Sequence, residues 1–274
     1  MVYSMILVTK LYQFEFTFAL LIIKYVQMNN LENKVVVITG GNSGIGYATA
    51  KQLKEEGAQV IITGRRKEAL EKAAAELDVT GITADQSNIS DIENLAAHVK
   101  SNFGAVDILF INAGIAGLGT IEQTTEELFD SIMNVNLKGA FFTLSKFIPI
   151  LKDGASVIFL SSNTASMAGP GSSVYSASKT ALNSVMKSAA LELAPRKIRV
   201  NSVSPGPTET EVMKKVGLDE ATVKDIMDVV VEKVPLKQMG RAEDVAKMVS
   251  YLSSDAAVFI TGADFIMDGG MVLS

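Results

Sequence analysis

The feature that most constrains this chain is the stretch KVVVITGGNSGIGYATA, residues 34–50. Val35, Val36, Val37 and Ile38 form an unbroken β-branched run. A strand with that pattern buries both of its faces, as a central strand of a parallel sheet does. Gly40, Gly41, Gly44 and Gly46 follow at once, and Ile45, Ala48, Thr49 and Leu53 recur behind them at helical spacing. The pattern predicts strand, glycine-rich turn and helix in succession. Glycines let the main chain approach a diphosphate closely, and a helix N-terminus offers free N–H groups and the positive end of a dipole. The strict G-x-G-x-x-G order is absent, because Thr49 stands where its last Gly or Ala would be; the spacing is Thr39-Gly40-x-x-x-Gly44-Ile45-Gly46. Taken alone, such a turn fits either an anion cradle or a plain tight connection.

The 274 residues suffice for one large α/β domain with a full core. The formal net charge is −5 and the basic residues are scattered, so no nucleic-acid partner is expected. There is no cysteine, which removes disulfides and thiol chemistry. The single histidine, His98, falls off the apolar stripe Ile92, Leu95, Ala96, Val99 and Phe103 and is expected to be solvated. Zinc sites built from Cys and His are therefore excluded, as is a His-based catalytic triad, and no metal is expected.

Residues 1–27 differ from the rest. The run Phe16 to Ile23 is apolar, but Lys10, Glu15 and Lys24 interrupt its surroundings. A spanning helix needs roughly 20 mostly apolar residues, and no small-residue cleavage site follows this one. Met28 opens a segment that reads as an ordinary domain start. The expectation is an extension over 1–27 outside the fold and a single domain over 28–274. A peripheral membrane-associating segment is the alternative, and membrane contact is expected only through it. The location expected is cytoplasmic.

Strand and helix patterns alternate along the remainder. Gln59 to Thr63 predicts a second strand, leading through Gly64-Arg65-Arg66 into an Ala-, Glu- and Lys-rich helix ending at Leu77. Thr80 to Ala84 predicts a third strand, followed by Asp85, and Asp91 to Phe103 a helix. Val106 to Ile111 predicts a fourth strand that runs into Asn112-Ala113-Gly114. Four such units with short connections argue for a doubly wound parallel sheet of Rossmann type, in three α/β/α layers, with ligand at the carboxyl ends of the strands. Thr124-x-x-Glu127 predicts a capping box opening a long helix whose apolar face includes Phe129, Ile132, Met133, Leu137, Ala140 and Phe141. Asn136 lies among them, where its amide is unfavourable by propensity. Ala155 to Leu160 predicts the fifth strand, closed by Ser161-Ser162; Ile198 to Val203 the sixth.

Thirteen residues after Ser162 comes Tyr175, and four after that Lys179, on a helix predicted from Ser173 to Ala194-Pro195. Residues at i and i+4 share a helix face, so phenol and ammonium converge. A lysine cation beside a tyrosine is expected to draw the phenol pKa down from about 10, making it a usable proton donor or acceptor.

With the glycine turn, Asn112-Ala113-Gly114 and the segment Asn134-Val135-Asn136-Leu137-Lys138-Gly139, these residues make the chain resemble a single-domain short-chain dehydrogenase/reductase from about Asn33 to its end. It departs from the family at Ile111, where a second Asn is usual. The resemblance implies hydride transfer between a nicotinamide cofactor and a carbonyl or alcohol carbon. The catalytic tetrad it implies is Asn136, Ser162, Tyr175 and Lys179. Ser162 would hydrogen-bond the substrate oxygen and Tyr175 would protonate it. Lys179 would lower the phenol pKa and hold the nicotinamide ribose, and Asn136 would position a water. Cofactor contacts are implied for Gly40, Asn42, Ser43, Gly44, Ile45, Gly46, Asn112, Ala113, Gly114, Tyr175 and Lys179. The loop Ser204-Pro205-Gly206-Pro207-Thr208 resembles the one that meets the nicotinamide carboxamide, through Pro205, Gly206 and Thr208. Asp85 would lie near the adenine ring, unless it only caps a turn. At the end of the second strand NAD enzymes carry a carboxylate on the ribose, whereas an arginine accommodates the 2′-phosphate of NADP. Gly64 and Arg65 stand there, with Arg66 behind, which favours NADP(H) over NAD(H) unless the arginines merely begin a solvated helix. Enoyl reduction is disfavoured, because relatives that reduce C=C bonds usually space Tyr and Lys further apart. The resemblance further implies a homotetramer, joined through the helices bearing Asn136 and Tyr175 and through the last strand, near Phe259–Gly262 and Ile266–Gly270. A lid over Glu209 to Val234 would close on a small-molecule carbonyl or alcohol substrate. The rival of another class is a dinucleotide-binding sensor without turnover, which would have no physical need for the Ser162, Tyr175 and Lys179 trio; within enzymes the rival is NAD(H) acting on a sugar or hydroxyacyl substrate.

Overall fold

The computed structural model describes residues 31–117, 119–209 and 220–274. The proposed extension over 1–27 and most of the first half of the lid lie outside the described residues. In chain order the elements are β1 (Val35–Ile38), α1 (Gly44–Glu55), β2 (Gln59–Gly64), α2 (Lys67–Leu77), β3 (Thr80–Thr83), α3 (Ile89–Phe103) and β4 (Val106–Ile111). Next come α4 (Glu126–Met133), a π-helical segment over Asn134–Gly139, α5 (Ala140–Phe147), β5 (Leu151–Leu160), α6 (Ser173–Leu193) and β6 (Arg199–Pro205). Two-residue strands β7 (Thr208–Glu209) and β8 (Gly240–Arg241) pair with each other and flank α7 (Glu220–Glu232). Helix α8 (Ala242–Ser253) and strand β9 (Asp264–Met267) complete the fold.

Seven strands make one sheet in the order β3-β2-β1-β4-β5-β6-β9, and every neighbouring pair is parallel. The chain starts in the middle at β1, winds outward through β2 and β3, then returns to the other side of β1 with β4. The order therefore reverses between β1 and β4, where crevices for ligands open at the carboxyl ends of the strands.

The unbroken apolar runs are explained by two-sided burial. Val35, Val37, Leu109, Ile111, Val157 and Phe159 face one layer, against Leu95 and Val99 of α3, Leu144 and Phe147 of α5, and Leu182 and Met186 of α6. Val36, Ile38, Ile108, Phe110 and Ile158 face the other, against Leu53 of α1, Leu70 of α2, and Val245, Val249 and Leu252 of α8. Ile111, in place of the usual Asn, is a core residue of the first layer.

Two local expectations are corrected. The helix cap is Thr125, whose hydroxyl accepts from the Leu128 N–H at 3.2 Å; Thr124 is one residue outside and donates to the Thr120 carbonyl. The long helix is also not continuous. It widens into π geometry over Asn134–Gly139, which brings Gly139 against the main chain after β3. A Cβ at Gly139 would sit 2.1 Å from the Gln86 carbonyl oxygen. Gly139→Ala should cost at least about 1–3 kcal/mol of unfolding free energy in denaturant titrations. Gly169→Ala, whose Cβ would meet nothing nearer than 3.5 Å, should stay within about 0.5 kcal/mol of the parent.

Candidate active site

The site is built outward from the end of β1. The Thr39 hydroxyl oxygen accepts from the Asn112 and Ala113 N–H groups, each at 3.0 Å. In return, the Asn112 amide donates to the carbonyls of Thr39 at 2.8 Å and Gly40 at 3.0 Å. Strand ends β1 and β4 are thereby tied together, and the turn is pulled down onto Asn112. Glycine is required where this happens. Gly40 adopts a φ of +66° and a Cβ there would lie 2.9 Å from Ala113 Cα; a Cβ at Gly46 would lie 2.4 Å from the Gly40 oxygen.

The turn borders a cleft of about 500 Å³ walled by Gly40, Asn42, Ser43, Gly44 and Ile45 on one side and Asn112, Ala113, Gly114 and Ile115 on another. Arg65, Arg66 and Asp85 close its outer end, and Gln86, Val135 and Leu160 its inner end. At the start of α1 Ser43 is the N-cap residue, but its side chain makes no capping bond, and the first turn carries no acidic residue. Its first N–H groups are left for an anion. Arg65 and Arg66 are exposed and form no ion pair among the described residues. A Cβ at Gly64 would approach the Asn42 Oδ1 to 2.7 Å, so a carboxylate at 64 would have to displace Asn42. Asp85 does both things considered for it. It lines the cleft, and its Oδ1 caps the turn by accepting from the Ser87 N–H at 2.8 Å and hydroxyl at 2.7 Å.

Asn136, in the π segment, is buried, and its amide is fully occupied. Its Oδ1 accepts from the Ile115 N–H at 2.8 Å, while its Nδ2 donates to the Ile115 carbonyl at 2.9 Å and the Ser178 hydroxyl at 3.2 Å. Ser162 caps a short 3₁₀ turn, its Oγ accepting from the Thr164 N–H and hydroxyl at 3.2 and 3.0 Å. Helix α6 presents Tyr175 and Lys179 on one side. The Lys179 Nζ lies 5.8 Å from the centre of the Tyr175 ring and donates to the Leu160 carbonyl at 2.8 Å. A Cβ at Gly114 would reach within 3.2 Å of the Asn136 Oδ1 and 3.4 Å of the Lys179 Nζ, so Gly114 keeps open the space where the two converge.

The expected lowering of the Tyr175 pKa is not what the ligand-free protein has. Burial pushes the phenol up, and the Ser162 hydroxyl beside it draws it partly back. Lys179 instead absorbs the cost: burial lowers its pKa from 10.5 to about 8. A cation that is itself this poorly solvated is only partly charged near pH 8 and does little to ionise its neighbour.

Not every expected residue borders this cleft. Gly46, Asn136, Ser162, Tyr175 and Lys179 are not among its walls, although Asn136 and Lys179 adjoin the lining residues Gly114 and Leu160; Pro205, Gly206 and Thr208 lie at the carboxyl end of β6, also outside its walls. Gly206 is packed there against Asp268, whose carboxylate also accepts from the N–H groups of Gly270 and Val272. Three further residues shape the site without having been singled out. Ser178 carries the Asn136 amide, Thr164 fixes the Ser162 hydroxyl, and Gln86 bridges two carbonyls at the cleft's inner wall. Ser178 stood one residue before Lys179 and Gln86 one after Asp85, but neither belongs to a recurring spacing.

A family model described as Enoyl-(Acyl carrier protein) reductase matches residues 40–272. An oxidoreductase, asL5, of Sarocladium schorii is 36% identical over 249 residues, 89% of this chain and 98% of its own length. Human dehydrogenase/reductase SDR family member 4 is 35% identical over 248 residues, 88% of each chain. A versicolorin reductase of Emericella nidulans is 34% identical over 253 residues, 88% of this chain and 96% of its own. A short-chain dehydrogenase/reductase from Serratia marcescens superposes with a TM-score of 0.82 at 32% identity, over 88% of this chain and 99% of that one. The chain belongs to the short-chain dehydrogenase/reductase family and is an NAD(P)-dependent oxidoreductase of carbonyl and alcohol groups. The cleft fits such a cofactor on its own geometry: glycines no side chain could replace, uncapped N–H groups for a diphosphate, and two exposed arginines at the outer end, unpaired among the described residues.

Keeping Lys179 buried costs stability. Between pH 8 and 10.5 the unfolded chain holds a proton that the folded chain has released, so this group's contribution improves as the pH rises through that window. Below pH 8 the full cost is carried, roughly 3 kcal/mol. Lys179→Met should therefore raise the unfolding free energy at pH 7, and the gain should shrink toward pH 10. A Lys179→Met protein less stable than the parent at pH 7 would show that the Leu160 hydrogen bond outweighs desolvation.

Proposed function

We propose that the protein is an NADP(H)-dependent reductase of ketones, or dehydrogenase of the corresponding secondary alcohols, its catalytic domain occupying 28–274. The observation that carries the reading is the grouping of Tyr175, Ser162 and Lys179 beside Leu160, which walls the inner end of a cleft of dinucleotide size that has Arg65 at its outer end. The cofactor supplies the hydride. In the reductive direction the Ser162 hydroxyl orients the substrate oxygen, and Tyr175 is the proton donor. A phenol whose pKa is pushed up is held protonated across the physiological range, which suits that direction. Lys179, with its ammonium spending a bond on Leu160, has further N–H donors for the nicotinamide ribose. Asn136 spends its amide on Ile115 and Ser178, so any water it positions is held through its main chain.

The family model's description favours a second reading, reduction of a C=C bond conjugated to a carbonyl. Four-residue spacing between Tyr175 and Lys179 weighs against it. A non-catalytic sensor is disfavoured by the buried Lys179, which costs stability that mere binding does not require. A screen of NADPH and NADH oxidation against ketones, keto-esters, sugars, quinones and enoyl thioesters separates these readings. Tyr175→Phe should keep cofactor binding and lose at least about a hundredfold in turnover. Near-normal turnover in that variant would remove Tyr175 from the chemistry.

Arg65 is the residue assigned to the 2′-phosphate. A charge-assisted hydrogen bond contributes about 1.5–3 kcal/mol, so Arg65→Ala should raise the KM for NADPH roughly ten- to a hundredfold and leave that for NADH nearly unchanged. An equal loss for both cofactors would make Arg65 a helix-surface residue.

We further propose a homotetramer. Ile121 and Phe129 are exposed on one side of an apolar hollow closed by Val174 and Ala177 of α6, and Phe259 is fully exposed before the edge strand β9. Light scattering at micromolar concentration should give four times the chain mass; a monodisperse monomer contradicts it.

A further inference from the structure

Gln86 lies in the turn after β3, and its side chain forms part of the inner wall of the cleft. Its Nε2 donates to the carbonyls of Ala113 at 2.8 Å and Val135 at 3.0 Å. Ala113 precedes Gly114, and Val135 precedes Asn136. Both amide hydrogens are thus spent immediately beside the place where Gly114, Asn136 and Lys179 converge. The Gln86 main chain takes part as well, because Gly139 at the end of the π segment packs on its carbonyl. Helix widening of this kind is uncommon and needs support from outside the helix. Gln86 provides it from two sides.

The amide is a poor choice if stability were its only purpose. Its Oε1 is buried without a hydrogen-bond partner among the described residues, a defect that an apolar side chain of the same length would not have. What the glutamine has that a methionine lacks is two N–H donors on one nitrogen, aimed at two carbonyls from different elements. The turn that carries it is rigid: the Asp85 carboxylate accepts from Ser87, and the Asp85 N–H donates to Asp91 at 2.9 Å. That same turn borders the outer half of the cleft, beside Arg65.

We infer that Gln86 is a positioning residue, which holds the π segment against the end of β4 so that the Asn136 amide stays locked on Ile115 and its main chain stays in register with Lys179. Gln86 lines the cleft, and the role inferred for it is exerted through Asn136. This rests on the proposed reductase reading for its kinetic consequence, but not for its structural one.

The test uses the full chain with Gln86→Met, Asn136→Ala and the double variant. In the ligand-free protein, hydrogen–deuterium exchange of the peptide containing Ile115 should accelerate at least tenfold in Gln86→Met, while the peptides of β1 and β2 keep their protection. With NADPH and a ketone that the parent reduces, kcat should fall at least tenfold and the KM for NADPH by less than threefold either way. The double variant should be no slower than Asn136→Ala alone, because both changes remove the same support. Unchanged exchange at Ile115, a kcat within twofold of the parent, or penalties that multiply in the double variant would each overturn the inference. If Gln86→Met does not fold, Gln86→Asn, whose shorter amide cannot span both carbonyls, gives the same exchange readout. A parent inactive on every carbonyl tested would defeat the reductase reading, and exchange at Ile115 would still decide the role of Gln86.

Discussion

The interlock between Thr39 and Asn112 is the contact on which the site depends. Two parallel strands meet here at the point where the sheet order reverses, and each sends a polar side chain to the other's main chain. Four hydrogen bonds within a few ångströms fix the height of the glycine turn above the sheet. The turn then has no room for any Cβ at 40 or 46, and the N-terminus of α1 is aimed across the cleft. Every later feature is placed relative to this one: Gly114 and Ile115 follow Asn112, Ile115 holds Asn136, and the sheet carries β5 with Leu160 and Ser162 into reach of α6.

The site also concentrates cost. A buried lysine, an asparagine inside a helix and a helix turn in π geometry are each worse for stability than their plain alternatives. Their neighbours compensate with hydrogen bonds rather than with opposite charge. Leu160, Ile115 and Ser178 supply those bonds, and among the described residues no carboxylate hydrogen-bonds to Lys179.

Much of this was legible in the sequence. The bounds of β1 follow from an unbroken apolar run, and β4 is as legible although Asp107 interrupts its apolar run, a carboxylate buried against the Val35 N–H and Lys152. The start of α6 and the shared face of Tyr175 and Lys179 follow from helical spacing. What escaped was set by tertiary contact. In the run Thr124-Thr125-Glu126-Glu127 either threonine satisfies a capping pattern, and packing selected the second. The π segment has no local signature apart from Asn136 and Gly139, whose reasons lie on Ile115 and Gln86, more than twenty and fifty residues away. The phenol pKa went the other way because burial, invisible in a four-residue spacing, outweighs the Ser162 hydrogen bond that draws it back. Gln86 was passed over because a loop glutamine is ordinarily solvated.

The central claim is that hydride passes directly from cofactor to a carbonyl carbon held beside Tyr175. It is tested most directly with NADPH deuterated at one or the other face of nicotinamide C4 and a ketone substrate, the alcohol product being analysed by mass spectrometry. The account predicts deuterium on the carbinol carbon from one labelled face only, with none acquired from deuterated water. Deuterium transfer from neither face, or a carbinol hydrogen drawn from solvent, would contradict it.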